Sequence, residues 1–306
     1  MQNTVTSKSF ITGFGFALAS SALFAIRPIF VKLVYAEGTD PTTLIGFRML
    51  LSMPIYIVIL LWLLRDKELR ARLTPKNITQ TCLVGLSGYY IASFLDLVGL
   101  QYVSAQLGRM VLYLYPTFVV IFGALIFKQA ISARTIVSLA ITYTGVLIIF
   151  GHDLQTLGSD VIKGSLIILV CAVFFAIYLI FSKSLIEEIG SRLFTSIALI
   201  GASVAILVHY GITRPIMTPN VNQTAFLWIL VIAIFCTVIP TFFTTSAVAR
   251  IGADKTGIAA MIGPGFTSIF AVSILSEAFT IYHAIGIATT IFGVWILSQS
   301  KPPSQP

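Results

Sequence analysis

Long apolar stretches alternate with short polar ones along the whole chain, and the apolar stretches are too long for the strands or helices of a small soluble core. Ten of them, at 11–35, 41–64, 78–100, 104–127, 133–150, 163–186, 192–213, 224–247, 255–276 and 280–298, approach the length that spans a bilayer. A membrane helix needs roughly 20 largely apolar residues. Several linkers are very short, so neighbouring helices must form antiparallel hairpins. The pattern predicts an all-α integral membrane protein with ten transmembrane helices.

The pattern is also written twice. Phe24-Ala25-Ile26, Ile29-Phe30 and Lys32 recur 151 residues later as Phe175-Ala176-Ile177, Ile180-Phe181 and Lys183. At an offset of 148, Leu100 to Phe150 aligns without gaps on Val248 to Ser298 with 12 identities, among them Pro116/Pro264, Phe118/Phe266 and Gly145/Gly293. The repeat boundary falls in the polar stretch Gly151 to Asp160, which gives two five-helix halves, 1–150 and 151–306. An odd number of helices per half forces the second copy to insert upside down, an inverted-topology repeat. Internally repeated halves are the signature of secondary transporters, which rock one half against the other around a central site.

Composition agrees with a lipid-solvated chain. Of 306 residues, 57% are hydrophobic and 10% charged, with mean hydropathy +0.98. Soluble domains carry about 25% charged residues. The formal charge of +8 does not point to nucleic acid, because the basic residues sit at the ends of apolar segments. One set of connections holds Lys8, Arg65, Lys67, Arg70, Arg72, Lys76, Lys128, Arg134, Lys183, Arg192, Arg250, Lys255 and Lys301; the other holds Lys163 and Arg214. By the positive-inside rule both termini are cytoplasmic in an inner (plasma) membrane, and linkers near 37–40, 101–106 and 153–160 face outside.

Several chemistries lack their motifs. Cys82, Cys171 and Cys236 are singletons in apolar stretches, which implies neither a disulfide framework nor a metal site. His152, His209 and His283 have no metal-ligand spacing. No phosphate-binding loop occurs, and Gly13-Phe14-Gly15 lacks the rest of a dinucleotide fingerprint. No cofactor or metal is expected, and no nucleophile sits in a catalytic motif.

Charges inside a bilayer are costly and face the bundle interior. Arg27, Arg48, Asp96 and Arg109 meet that description, with Lys32 further along the first helix. All four fall in the outer half of the first repeat. One carboxylate cannot neutralise three guanidinium groups, so the surplus predicts an outward-facing cavity that meets a carboxylate through guanidinium forks. The competing reading pairs Arg48 or Arg109 with Asp96 and lets Lys32 snorkel to the interface. Tyr178 occupies the repeat position of Arg27. In helices 4 and 9, Tyr113, Tyr115 and Pro116 stand opposite Ile262-Gly263-Pro264-Gly265. Paired interruptions in corresponding segments mark transporter binding sites, so Pro116, Gly263, Pro264 and Gly265 are expected to gate. Asp96 and Glu277 are the candidates to carry a proton, with Glu277 otherwise read as a loop carboxylate capping helix 10.

These features together resemble the drug/metabolite transporter superfamily, in particular its EamA-type ten-helix exporters, over nearly the whole chain. The resemblance rests on the motifs ending in Lys32 and Lys183, Gly46-Phe47-Arg48, Tyr115-Pro116, Gly263-Pro264 and Ser276-Glu277. Family members commonly repeat that acidic residue in the first half, where this chain has Lys128-Gln129. The resemblance implies export or exchange of small metabolites, often amino acids, with coupling to protons or exchange. The arginine surplus favours an amino acid or organic acid. The expected partners are a small-molecule substrate and the lipid bilayer, with no nucleic acid, and the protein is a monomer or homodimer. The competing classes are a channel-like or structural membrane protein, then an intramembrane enzyme.

Overall fold

A computed structural model describes residues 7–128, 131–214 and 221–299, and these are almost entirely helical, with no strand among them. Gln129 lies outside the described residues. Among the described residues nine helices are long and apolar enough to cross a membrane: α1 (Ile11–Ala36), α2 (Pro41–Leu63), α3 (Pro75–Gly99), α4 (Ala105–Ile126), α5 (Ala133–Leu157), α6 (Asp160–Ile189), α7 (Ser191–Thr213), α8 (Gln223–Val248) and α10 (Ile281–Ser298). Between the last two lies a shorter apolar helix, α9 (Gly263–Leu275).

α9 differs from the expected span of 255–276. Helical backbone runs from Ile239 through Ala260 and breaks at Met261–Ile262. The side-chain contacts trace its path. Ser20 Oγ donates to Pro240 O at 2.9 Å, and Ile251 packs on Gly13. The Ala260 carbonyl is then back beside Ser21, whose hydroxyl reaches it at 3.4 Å. The chain therefore reverses along α1 between Ile251 and Ala260. The missing length of the ninth segment lies in that return, ahead of α9.

Helix starts follow side-chain capping. Asp40 accepts from the backbone N–H of Thr42 and Thr43 before Pro41 opens α2. Thr74 and Asn77 form a capping box at α3, and Thr280 and His283 form one at α10. α5 and α6 run further than the apolar pattern suggests, so the linker expected near 153–160 shrinks to a turn at Gly158-Ser159. Polar residues such as His152 and Asp153 extend the helix because they find partners on its buried face. Asn222, in a glycosylation-like sequence, caps α8 and donates to Glu37 at 2.7 Å.

Irregularities recur in the two halves. A π-helical stretch interrupts α3 at Leu86–Ala92 and α8 at Ile234–Val238. A two-residue break falls at 113–114 and again at 261–262. Lys128 and Ser276, at φ 53° and 55°, end the helices that follow. α1 is broken at Ile26, whereas α6 is continuous. α5 packs against α10 with almost no space between backbones: a Cβ on Gly286 would lie 2.6 Å from the Gly145 carbonyl oxygen. Close approach over small residues is how helices associate where lipid competes for apolar surface. Outward side chains such as Ile212 and Leu125 are 80% and 72% exposed, as a lipid-facing surface requires.

Candidate functional site

The first cluster is built on the break in α1. Pro28 has no N–H, and Ile29 N–H turns to Ile26 O at 3.0 Å instead of Ala25 O. The freed Ala25 carbonyl accepts Thr267 Oγ1–H from α9 at 2.9 Å. Arg27 opens the second segment at this discontinuity, and its guanidinium forms an ion pair with the Asp96 carboxylate of α3. Arg27 is 19% and Asp96 8% exposed in their side chains. Arg48 on α2 is 2% exposed and donates to Ser93 Oγ at 2.8 Å. Asp96 is thus taken by Arg27, not by Arg48 or Arg109 as in the competing pairing. The Nε atoms of Arg27 and Arg48 are buried without a hydrogen-bond partner among the described residues. Lys32 does not snorkel: its ammonium donates to the Val103 carbonyl.

The second cluster joins α4 to the start of α9. Arg109 lies over the Tyr113 ring, 5.5 Å from its centroid. The Tyr113 hydroxyl donates to Ala260 O at 2.7 Å. A Cβ on Gly263 would come within 2.6 Å of that hydroxyl and 3.6 Å of Arg109 Nη2, so only glycine admits this approach. Pro116 and Pro264 each sit in the first turn of a new helical segment. They do not kink a helix interior; they start a helix where the missing N–H costs nothing. Gly265 has open space at its Cβ.

An aromatic row links this cluster to α3 through α6. Tyr115 meets Phe175 edge-on at 5.1 Å, and Phe175 stacks on Tyr178 at 5.9 Å. The Tyr178 and Tyr89 hydroxyls are 2.9 Å apart. Ser93 and Thr267 escape sequence reading, since nothing in the apolar pattern distinguishes them from other buried residues; Phe175 is visible there only as part of the repeat.

A third set of contacts ties loops at one end of the bundle. Glu277 does not cap α10. Its carboxylate accepts from Ala105 N at 2.8 Å and Gln106 N at 3.4 Å, at the start of α4. Arg214 donates to Asp40 at 2.8 Å. Burial raises the Asp40 pKa, but the bonds from Arg214 and Thr43 outweigh it and hold the carboxyl below its ordinary range. Ser104, the N-cap of α4, donates to Asp153 Oδ2 at 2.6 Å. Asp153 also brings together His152 and His283, whose spacing along the chain offers no reason to associate them.

A bundle of apolar helices with paired and unpaired charges in its interior is that of a multi-pass membrane protein. Residues 11–151 and 162–299 each match the EamA-like transporter family, and the chain belongs to that family. It is 27% identical over 291 residues to an uncharacterized transporter, YcbK, of Bacillus subtilis (strain 168), covering 94% of this chain and 92% of that one. It is 25% identical over 287 residues to an uncharacterized transporter of Clostridium kluyveri, covering 92% and 91%. A solved crystal structure, described only as that of a protein, has the same fold, with TM-score 0.65 at 16% identity over 95% of this chain and 96% of its own.

Proposed function

We propose that this transporter carries a small carboxylate-bearing metabolite, such as an amino acid or organic acid, outward or in exchange. The observation that carries this reading is the charge imbalance around Asp96. Arg48, buried, and Arg27, partly buried, stand beside one carboxylate that pairs with Arg27, and each keeps an Nε without a partner among the described residues. Buried charge without a counter-charge is costly, and a substrate carboxylate would supply it through bidentate hydrogen bonds. Arg109 and the row Tyr113, Tyr115 and Tyr178 line the approach with a further cation and aromatic faces.

Movement is by alternating access of two inverted five-helix halves, 1–150 and 151–306. The paired π stretches, helix breaks and left-handed ends, all 148 residues apart, support this division. So do two separate matches to one family. Pro116, Gly263, Pro264 and Gly265 mark the breaks about which α4 and α9 would re-angle. The excess of basic residues on one set of loops supports cytoplasmic termini in the plasma membrane. On that topology the ties from Glu277 and Arg214 cross between halves on the outer side.

The test is uptake of labelled amino and organic acids into proteoliposomes. A carrier gives saturable uptake, accelerated by the same acid inside. Flux without saturation would make it a channel, no flux with any acid would remove the proposed substrate class, and turnover in detergent would make it an enzyme.

A further inference from the structure

His152 and Asp153 close α5, and His283 lies in the first turn of α10. Folding brings one ligand atom from each within 4.8 Å of the others. Asp153 Oδ1 is 3.4 Å from His152 Nδ1 and 3.5 Å from His283 Nε2. A tetrahedral zinc ion with bonds of about 2.0–2.1 Å holds its ligand atoms about 3.3 Å apart. We propose that His152, Asp153 and His283 bind a divalent transition metal of the zinc class. The site clamps the ends of α5 and α10 together and is separate from the Arg27 and Arg48 cluster.

The surroundings support the ligands as a metal site requires. Ligand side chains are normally oriented by outer hydrogen bonds. Asp153 keeps Oδ1 for the ion because Ser104 Oγ holds its other oxygen at 2.6 Å. His283 Nδ1 accepts from Thr280 N–H at 3.3 Å in the capping box and lies 2.9 Å from Thr280 Oγ1; coordination through Nε2 would turn Nδ1 into a donor to that hydroxyl oxygen. His152 then carries its proton on Nε2. The side chains of Asp153 and His283 are 4% and 2% exposed, and that of His152 is 15% exposed, which leaves an entry path and a fourth position for water. The local charge favours a cation. Asp153 and Glu277 hold adjacent residues of the α4 start, and one ammonium, that of Lys32, lies within electrostatic reach of both. Two imidazoles and one carboxylate suit zinc, cobalt or nickel better than magnesium or calcium.

Untagged, chelator-washed full-length protein in detergent provides the test. Zn²⁺ at a hundredfold excess over Kd should raise the melting temperature by about 5 °C, while Mg²⁺ should not. Co²⁺ should give the visible absorption of a nitrogen- and oxygen-ligated ion. His152→Gln and His283→Gln should each weaken both signals at least tenfold. His152→Gln is the decisive variant, because His152 is the most exposed ligand and caps no helix. No Zn²⁺ shift in the wild type, or unchanged affinity in His152→Gln, would overturn the site.

Discussion

Arg27 and Arg48 carry the same group into the same interior and are held differently. Arg27 has an anionic partner in Asp96, while among the described residues the Arg48 guanidinium hydrogen-bonds the Ser93 hydroxyl alone. Removing one member of a buried pair strands the other charge, a loss of about 3–5 kcal/mol. Arg27→Gln should therefore lower stability by about 3 kcal/mol, and Arg27→Gln with Asp96→Asn should recover much of it; additive losses in chemical melts would mean the two do not act as a pair. Arg48→Met should leave the melting temperature level or higher, because apolar packing replaces a buried, under-compensated charge. A clear drop would show that Arg48 is structural. The sequence identified all three charges as expensive. It could not say which arginine takes Asp96, because that depends on the rotation of α1 and α2 about their axes. Ser93 was invisible for a plainer reason: a serine in an apolar helix carries no pattern.

At the scale of helices, apolar length placed nearly every span, and the proline and glycine pairs located both breaks. What the pattern missed is local. α9 is short because the chain spends several residues reversing beside α1, a matter of backbone path that hydropathy cannot register. The prolines mark interruptions by beginning new segments, and the Pro28 break is stabilised by Thr267 from a helix far along the chain. The close fit of Gly263 on Tyr113 is similarly tertiary. Gly263→Ala should cost about 1–3 kcal/mol through overpacking. Tyr113→Phe alone should cost about 1 kcal/mol through the lost bond to Ala260. The double variant should lose less than the sum, since removing the hydroxyl makes room for the added methyl. Strict additivity in thermal or chemical melts would refute that contact.

For the whole molecule, a cationic interior is separate from the end of the bundle tied by Glu277 and Arg214. Charge bias and repeat offset are what the proposed topology rests on, but the contacts that tie loops from distant parts of the chain could not be inferred from linkers read singly. The Arg214 tie gives a pH test. Asp40 titrates below its unfolded value, so its contribution is complete above about pH 4 and fades as pH falls through the lower folded value. Asp40→Asn, which can still cap α2, should melt below wild type at pH 7. The gap should persist to pH 5 and close toward pH 3. A gap unchanged at pH 3 would exclude the carboxylate as its source.

The most direct test of the central claim is a thermal-shift panel of amino acids, organic acids, sugar phosphates and cationic drugs, run on wild type, Arg48→Met and Arg27→Gln. Binding to the folded state raises the melting temperature by mass action. The account predicts stabilisation of wild type by a carboxylate and loss of that shift in both variants. Stabilisation only by cations or neutral compounds, or an acid shift that survives in both variants, would contradict an anion site built on Arg27 and Arg48.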